Sequence, residues 1–110
     1  MTPRVEAWLR QARSDLAVAR LTTDQGFHAQ ACYHAGQAAE KALKGLLVAG
    51  GVVPPYSQSL HLRALTRMNS ESRYPQDDEA PIDRFDGNDS SSAVATAESV
   101  LLFAEAQLAR

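Results

Sequence analysis

The most informative part of the chain runs from Phe27 to Ala49, FHAQACYHAGQAAEKALKGLLVA. Apolar residues recur through it at steps of three and four, which is the spacing that places side chains on one side of an α-helix. Gly50-Gly51 ends this pattern and Pro54-Pro55 prevents the helix from resuming. The stretch therefore predicts a helix over about 27–49. The predicted buried stripe consists of Phe27, Ala31, Ala35, Ala38, Ala42, Leu46 and Ala49.

The same period predicts three further helices on either side of this one. Upstream, a helix over about Pro3 to Thr22 has Thr2 as its N-cap and ends at the turn 23–26. Downstream, a short Leu-rich helix is predicted at about 58–68 and a last helix at about 91–109. The predicted apolar stripe of the first helix is Val5, Trp8, Ala12, Leu16 and Ala19. That of the last helix is Val94, Ala97, Leu101, Ala104 and Leu108.

Residues 73–89 contain two prolines, a glycine and six acidic residues, a composition that predicts a loop with room for one helical turn. Asp89 and the serines after it are the predicted N-cap candidates of the last helix. No stretch alternates with the period of a β-strand. The fold class is therefore all-α: residues 1–110 form a single domain, an antiparallel up-and-down bundle of four main helices with room for a fifth short one.

Composition restricts the class of protein. Much of the 45% apolar content is alanine, which predicts a thin core and hence a homodimer. Cys32 is the single cysteine, so no intrachain disulfide forms and a reducing cytoplasm is the expected location. Pro3-Arg4 leads into a charged amphipathic pattern, so no secretory signal is expected. No uncharged apolar run approaches the roughly 20 residues needed to span a bilayer, so no membrane span is expected either.

Charge is unevenly distributed along the chain. Residues 1–75 carry nine Lys and Arg against five Asp and Glu, whereas residues 76–110 carry two against eight. A basic body attracts phosphate, but the acidic segment repels the same ligand. Charge by itself therefore gives nucleic-acid binding only weak support.

A polar stripe runs beside the apolar one on the helix at 27–49. Tyr33, Gln37, Glu40, Lys41 and Lys44 share one face, and they include both lysines of the chain. One interpretation is a solvated face, on which reversing either lysine would change stability by only about ±0.5 kcal/mol. The other is a surface that binds an anionic ligand or a partner.

Three other groups of residues are candidates for sites. Asp15 falls on the apolar side of the first helix, where it needs a partner, and a hydrogen bond to Tyr33 or His34 is preferred over a catalytic role. His28 and Cys32 could share a face, but buried packing is preferred over a metal or nucleophilic site. The acidic residues of 77–89 lack the spacing of a calcium loop. We therefore predict no metal, no cofactor and no catalytic residue.

Several of these residues resemble the sequence pattern of a known family. Trp8, Ala12, Asp15-Leu16 and Ala19, the run YHAGQAAEKALK at 33–44, Gly50-Gly51 and the Leu-rich third helix resemble the HEPN domain family, to which QAAEKALK is specific. The resemblance implies a bundle of four or five helices, frequent homodimers, and frequent pairing with a small nucleotidyltransferase as toxin and antitoxin. It also implies that the polar stripe lies at the shared surface of the family, and that Arg73-Tyr74-Pro75 matches a motif before the last helix.

Two features depart from the family pattern. Many members begin the third helix with Thr-His-Asp/Ser-Leu, whereas this chain has Ser59-Leu60-His61-Leu62. The ribonuclease members have an arginine followed, after four to six residues, by a histidine, and no such pair is present. The leading hypothesis is a non-catalytic HEPN-type module that binds a nucleotide, RNA or a nucleotidyltransferase partner. The alternatives are a ribonuclease toxin with atypical catalytic residues and a purely structural homodimer.

Overall fold

The fold is a bundle of α-helices. The computed structural model describes residues 1–50, 72 and 78–109. Within them, the helices are α1 (Pro3–Asp24), α2 (His28–Val48), α3 (Pro81–Arg84) and α4 (Gly87–Leu108). The all-α class predicted from the sequence is confirmed, and α3 is the helical turn for which the loop at 73–89 left room. The predicted helix at 58–68, and the predicted site residues Arg73 and Tyr74, lie outside the described residues.

The start of α1 and the turn after it follow from single residues. The Thr2 hydroxyl accepts a hydrogen bond from the Val5 backbone N–H at 3.2 Å, which confirms the predicted N-cap. Pro3 occupies the first turn, where its missing N–H costs no hydrogen bond. Gly26 has a φ of 84°, a left-handed conformation that glycine adopts without strain. The chain therefore turns sharply and α2 begins beside the end of α1.

Helices α1 and α2 are antiparallel and closely packed. A Cβ atom on Gly45 would lie 3.2 Å from the Cβ of Trp8 and 3.6 Å from Cδ2 of Leu9. The end of α2 thus contacts the beginning of α1, and even an alanine at position 45 would need Trp8 to shift by a few tenths of an ångström.

Helix α4 starts four residues earlier than the predicted start at about 91, and the expectation of a loop up to Asp89 is wrong. The reason is a capping box. The Asp86 carboxylate accepts a bond from the Asp89 N–H and the Asp89 carboxylate accepts one from the Asp86 N–H, both at 2.9 Å. These two bonds satisfy backbone donors at the helix start, so Asp86 rather than Asp89 or a serine is the N-cap.

Two ion pairs join α4 to α1. Arg13 Nη2 donates to Glu105 Oε2 at 3.0 Å, and Arg20 Nη2 donates to Glu98 Oε2 at 2.7 Å. Because the residue numbers run in opposite directions, α1 and α4 are antiparallel. Helices α2 and α4 are parallel, since His28 contacts Ser90 at one end while Leu46 and Leu108 line one cavity at the other.

The core is alanine-rich, as the composition predicts. Among the described residues, the buried leucines are Leu9, Leu16, Leu46 and Leu101, together with a larger number of buried alanines. The predicted stripe of α2 is buried from Ala31 to Leu46, but Phe27 and Ala49 at its ends are exposed. None of the helices within 1–50 and 78–109 is long and apolar enough to cross a bilayer.

Candidate functional site

The polar face of α2 is the side of that helix that burial leaves open. Ten residues of α2 are buried, including Cys32, Ala39 and Gly45. At 100° per residue they cover an arc of about 200°, because α2 packs against both α1 and α4. The polar face, defined as Tyr33, Gln37, Glu40, Lys41 and Lys44, lies on the remaining arc. The predicted side chains are therefore together on one surface of the molecule.

Lys41 is bound to a carboxylate on the neighbouring helix. Its Nζ lies 2.5 Å from Oδ2 of Asp15, and the other carboxylate oxygen, Oδ1, accepts a bond from Gln11 Nε2 at 3.2 Å. The Asp15 side chain is 11% exposed and that of Lys41 is 25% exposed. This ion pair therefore lies in the seam between α1 and α2, partly shielded from water.

Asp15 accordingly has the partner on α2 that the sequence requires, but the identity of that partner was predicted wrongly. Tyr33 and His34 were the expected groups, and Lys41 occupies the place instead. Gln11 was not singled out at all. Its position four residues before Asp15, on the same side of α1, is the sequence signal by which it could have been found.

Lys44 is the exposed cation of the polar face, and it has no ion-pair partner among the described residues. Glu40 is also exposed, whereas Gln37 is half-buried. Counted with Asp15, the face carries two carboxylates and two ammonium groups, so its formal charges cancel. The face is polar and rich in hydrogen-bonding groups rather than strongly basic.

An aromatic pair borders this face at its N-terminal end. The rings of Tyr33 and His34 have centroids 5.1 Å apart and an interplanar angle of 69°, an edge-to-face contact. Both side chains are half-buried. The pair therefore places a phenol and an imidazole next to the amide of Gln37, one turn further along α2.

The His28 and Cys32 pair does not form a reactive site. His28 Nδ1 and Ser90 Oγ are hydrogen-bonded at 2.9 Å, which ties the start of α2 to the start of α4. Cys32 is fully buried. Burial, followed by the negative charges of Asp89 and Asp86, raises the pKa of its thiol to about 12. The thiol therefore stays protonated at neutral pH and is neither a nucleophile nor a metal ligand there.

No three His, Cys, Asp or Glu side chains of residues 1–50, 72 and 78–109 come together as a metal-binding group.

Comparisons with known proteins agree with the arrangement of the helices. The model of the HEPN domain matches residues 5–61. The crystal structure of TT1696 from Thermus thermophilus is 28% identical with a TM-score of 0.79, and the match covers 96% of this chain and 99% of that one.

A second solved structure gives a similar result. ST0689, described as an archaeal HEPN homologue, is 28% identical with a TM-score of 0.72, and the match covers 96% of this chain and 98% of that one. Among curated proteins, no match is found. Since the family match extends over more than half of the sequence and both structures match almost end to end, this chain belongs to the HEPN domain family.

Proposed function

We propose that this chain is a non-catalytic HEPN-type module that binds its ligand through the polar face of α2. The ligand is a nucleotide, an RNA or the nucleotidyltransferase partner that the family resemblance implies. The observation that carries the proposal is that the one broad unburied side of α2 presents an ammonium, an amide and a phenol together. These groups suit contacts to phosphate and to base edges, or to the polar rim of a protein interface.

The ion pair between Lys41 and Asp15 supports a binding surface held in a fixed geometry. Asp15 restrains the Lys41 ammonium, and Gln11 restrains the Asp15 carboxylate. A side chain that is already fixed loses less conformational entropy when a ligand binds beside it. Lys41 therefore contributes mainly to the shape of the surface, and Lys44 supplies the accessible positive charge.

The balanced charge of the face favours a small or mixed-charge ligand. Sequence-independent binding of a long RNA gains affinity from many Lys and Arg side chains that displace counterions. Lys44 is the accessible cation that the polar face offers among the described residues. We therefore rank a nucleotide or a partner protein with an exposed carboxylate above a long RNA.

A matched pair of charge reversals tests the proposal. Lys44→Glu changes the polar face, whereas Arg10→Glu changes an exposed cation on α1 and alters the net charge equally. Binding is measured by titration with labelled ATP, with a short single-stranded RNA and with any protein that co-purifies from the native cell. A charge-assisted hydrogen bond contributes about 1.5–3 kcal/mol, so Lys44→Glu should weaken binding by about 10- to 100-fold.

Arg10→Glu should leave the affinity within about twofold of the wild type. Equal weakening by both variants would mean that net charge, not the polar face, controls binding. Unchanged affinity in Lys44→Glu, at an unchanged melting temperature, would identify the polar face as an ordinary solvated helix surface.

A further inference from the structure

Trp8 is the single tryptophan of the chain, and it lies at the rim of the core. Its neighbours Val5 and Leu9 on α1 are 1% exposed, whereas Trp8 is only half-buried. A half-buried indole keeps part of its aromatic surface in contact with water, and covering that surface with another ring is favourable. Trp8 therefore offers aromatic surface to a ligand at the edge of the bundle.

The register of α1 against α2 places Trp8 beside the two lysines of the polar face. Trp8 and Asp15 are seven residues apart, or two helical turns, so they lie on one side of α1. Asp15 binds Lys41 on α2. Because the two helices are antiparallel, Trp8 lies level with a later residue of α2, which is Gly45: a Cβ atom there would lie 3.2 Å from the Cβ of Trp8. Trp8 is therefore next to the turn of α2 that carries Lys41 and Lys44.

Positive charge surrounds this indole. Arg4 is exposed and precedes Trp8 by four residues, on the same side of α1. Lys44 is exposed on α2, whereas the charge of Lys41 is already compensated by its ion pair. The exposed Glu40 lies one turn further from Trp8 than Lys44 does. Arg4 and Lys44 therefore place one exposed cation on each helix beside the indole.

We propose that Trp8 is the base-stacking residue of the ligand site and that Lys44 and Arg4 hold the phosphates of the same nucleotide. Every base has a π-face that stacks on an aromatic side chain, and ammonium and guanidinium groups form charge-assisted hydrogen bonds to phosphate oxygens. A nucleotide combines a flat ring system with phosphates in one small molecule, so it matches the indole and both cations at once.

The number of cations narrows the class of nucleotide. Two exposed cations suit a chain of two or three phosphates better than a single phosphate, since each can bind a different phosphate group. The inference rests on the function proposed for the polar face of α2, and it specifies the ligand of that face as a nucleoside di- or triphosphate.

Packing alone gives a different expectation for Trp8. The absent side chain of Gly45 lets Trp8 lie close to the α2 backbone. A tryptophan that only fills this space would affect stability and leave nucleotide affinity unchanged. Measurements on the bound ligand therefore separate the two roles.

The fluorescence of Trp8 tests the proposal in the unaltered full chain, because no other tryptophan contributes to the signal. Stacking of a base on the indole should quench its emission, and the quenching curve should give the same Kd as calorimetric titration with ATP or ADP. Tripolyphosphate, which has the phosphates but no base, should bind more weakly and leave the emission unchanged. N-acetyltryptophanamide is the control for collisional quenching.

Two outcomes of this titration contradict the proposal. ATP that binds by calorimetry without changing the emission of Trp8 overturns it, whereas the function proposed for the polar face stands if Lys44→Glu still weakens that binding. An absence of ATP and ADP binding at millimolar concentration overturns it as well. In that case, a co-purified protein whose binding depends on Lys44 would still uphold the polar face as a binding surface.

A matched pair of variants gives a second measurement. Trp8→Phe keeps an aromatic face and Trp8→Leu keeps only apolar bulk, and circular dichroism and thermal unfolding establish whether each is folded. Base stacking on an aromatic side chain accounts for about 5- to 100-fold in affinity. Trp8→Leu should therefore raise the Kd for ATP by about fivefold or more, and Trp8→Phe should stay within about threefold of the wild type. A folded Trp8→Leu variant that binds ATP as tightly as the wild type contradicts the proposal.

Discussion

Asp15 is the residue at which packing and the polar face of α2 meet. It lies on the buried side of α1, where a carboxylate without partners would lose its hydration and form no hydrogen bond to compensate. Lys41 and Gln11 provide that compensation. The pair therefore ties the position of the polar face to the packing of α1 against α2.

Removing the partner of Asp15 should destabilise the fold. Lys41→Ala leaves a largely buried carboxylate unpaired, and because the seam is partly open to water we expect a loss of about 1–3 kcal/mol. Lys44→Ala, on an exposed lysine one turn away, should change stability by about ±0.5 kcal/mol. Urea denaturation of both variants measures the difference.

A second variant shows whether the ion pair itself is responsible. Combining Lys41→Met with Asp15→Leu removes both charges, so the double variant should lose less stability than the sum of the two single changes. If Lys41→Ala unfolds at the same urea concentration as Lys44→Ala, the pair adds no stability. Under the solvated-face interpretation, reversing either lysine costs little stability. The ion pair with Asp15 limits that expectation to Lys44.

The residues of the polar face also show which features of a site a single sequence can indicate. Spacing on one helix placed the five residues of the polar face together, because residues three and four apart share a helix side. Spacing could not pair Lys41 with Asp15, because that contact depends on the offset between α1 and α2 along their axes. Both residues were therefore identified separately, and their contact was found only in the structure.

At the scale of the element, α4 is the helix whose start depends most on side-chain chemistry. Its first residue is Gly87, which has a low helix propensity and favours a loop assignment from sequence. The reciprocal bonds of Asp86 and Asp89 outweigh that preference. The capping box was missed because the acidic residues of 77–89 were interpreted as part of a loop. The predicted helix therefore started too late.

The capping box gives α4 a pH-dependent contribution to stability. Hydrogen bonds donated by the backbone N–H groups of Asp89, chiefly, and Asn88 hold the pKa of the exposed Asp86 carboxyl below its usual value of 3.8. A carboxyl whose pKa is lowered by folding stabilises the protein above its unfolded pKa, and that stability is lost as the pH falls through the folded pKa. Asp86→Ala should therefore lower the melting temperature at pH 7 and have a diminishing effect below about pH 4.

Asp83→Ala is the matched control, since it removes an exposed carboxylate three residues earlier that caps no helix. Its melting temperature at pH 7 should remain close to that of the wild type. An effect of Asp86→Ala that is equally large at pH 7 and at pH 3 would show that the charge on the cap plays no part.

At the scale of the whole molecule, hydrophobic period was sufficient for the fold class and the direction of the helices. Short connections force neighbouring helices to run antiparallel, and the period of three and four located α1, α2 and most of α4. The ion pairs Arg13–Glu105 and Arg20–Glu98 were not predicted, because they join residues 92 and 78 positions apart. Contacts of this kind follow from the order in which helices pack, which no local pattern contains.

We propose that this member of the HEPN family binds its ligand and does not cleave RNA, and incubation of the purified protein with total cellular RNA tests that proposal. RNA cleavage by general acid–base chemistry needs a positioned proton-transfer group such as histidine. His34 contacts Tyr33 beside the polar face, and the chain has no arginine at the family's ribonuclease spacing before any histidine. We predict that the RNA stays intact over hours at micromolar protein. Cleavage that disappears in His34→Ala or in His61→Ala, with the fold preserved, would contradict this proposal and identify a ribonuclease.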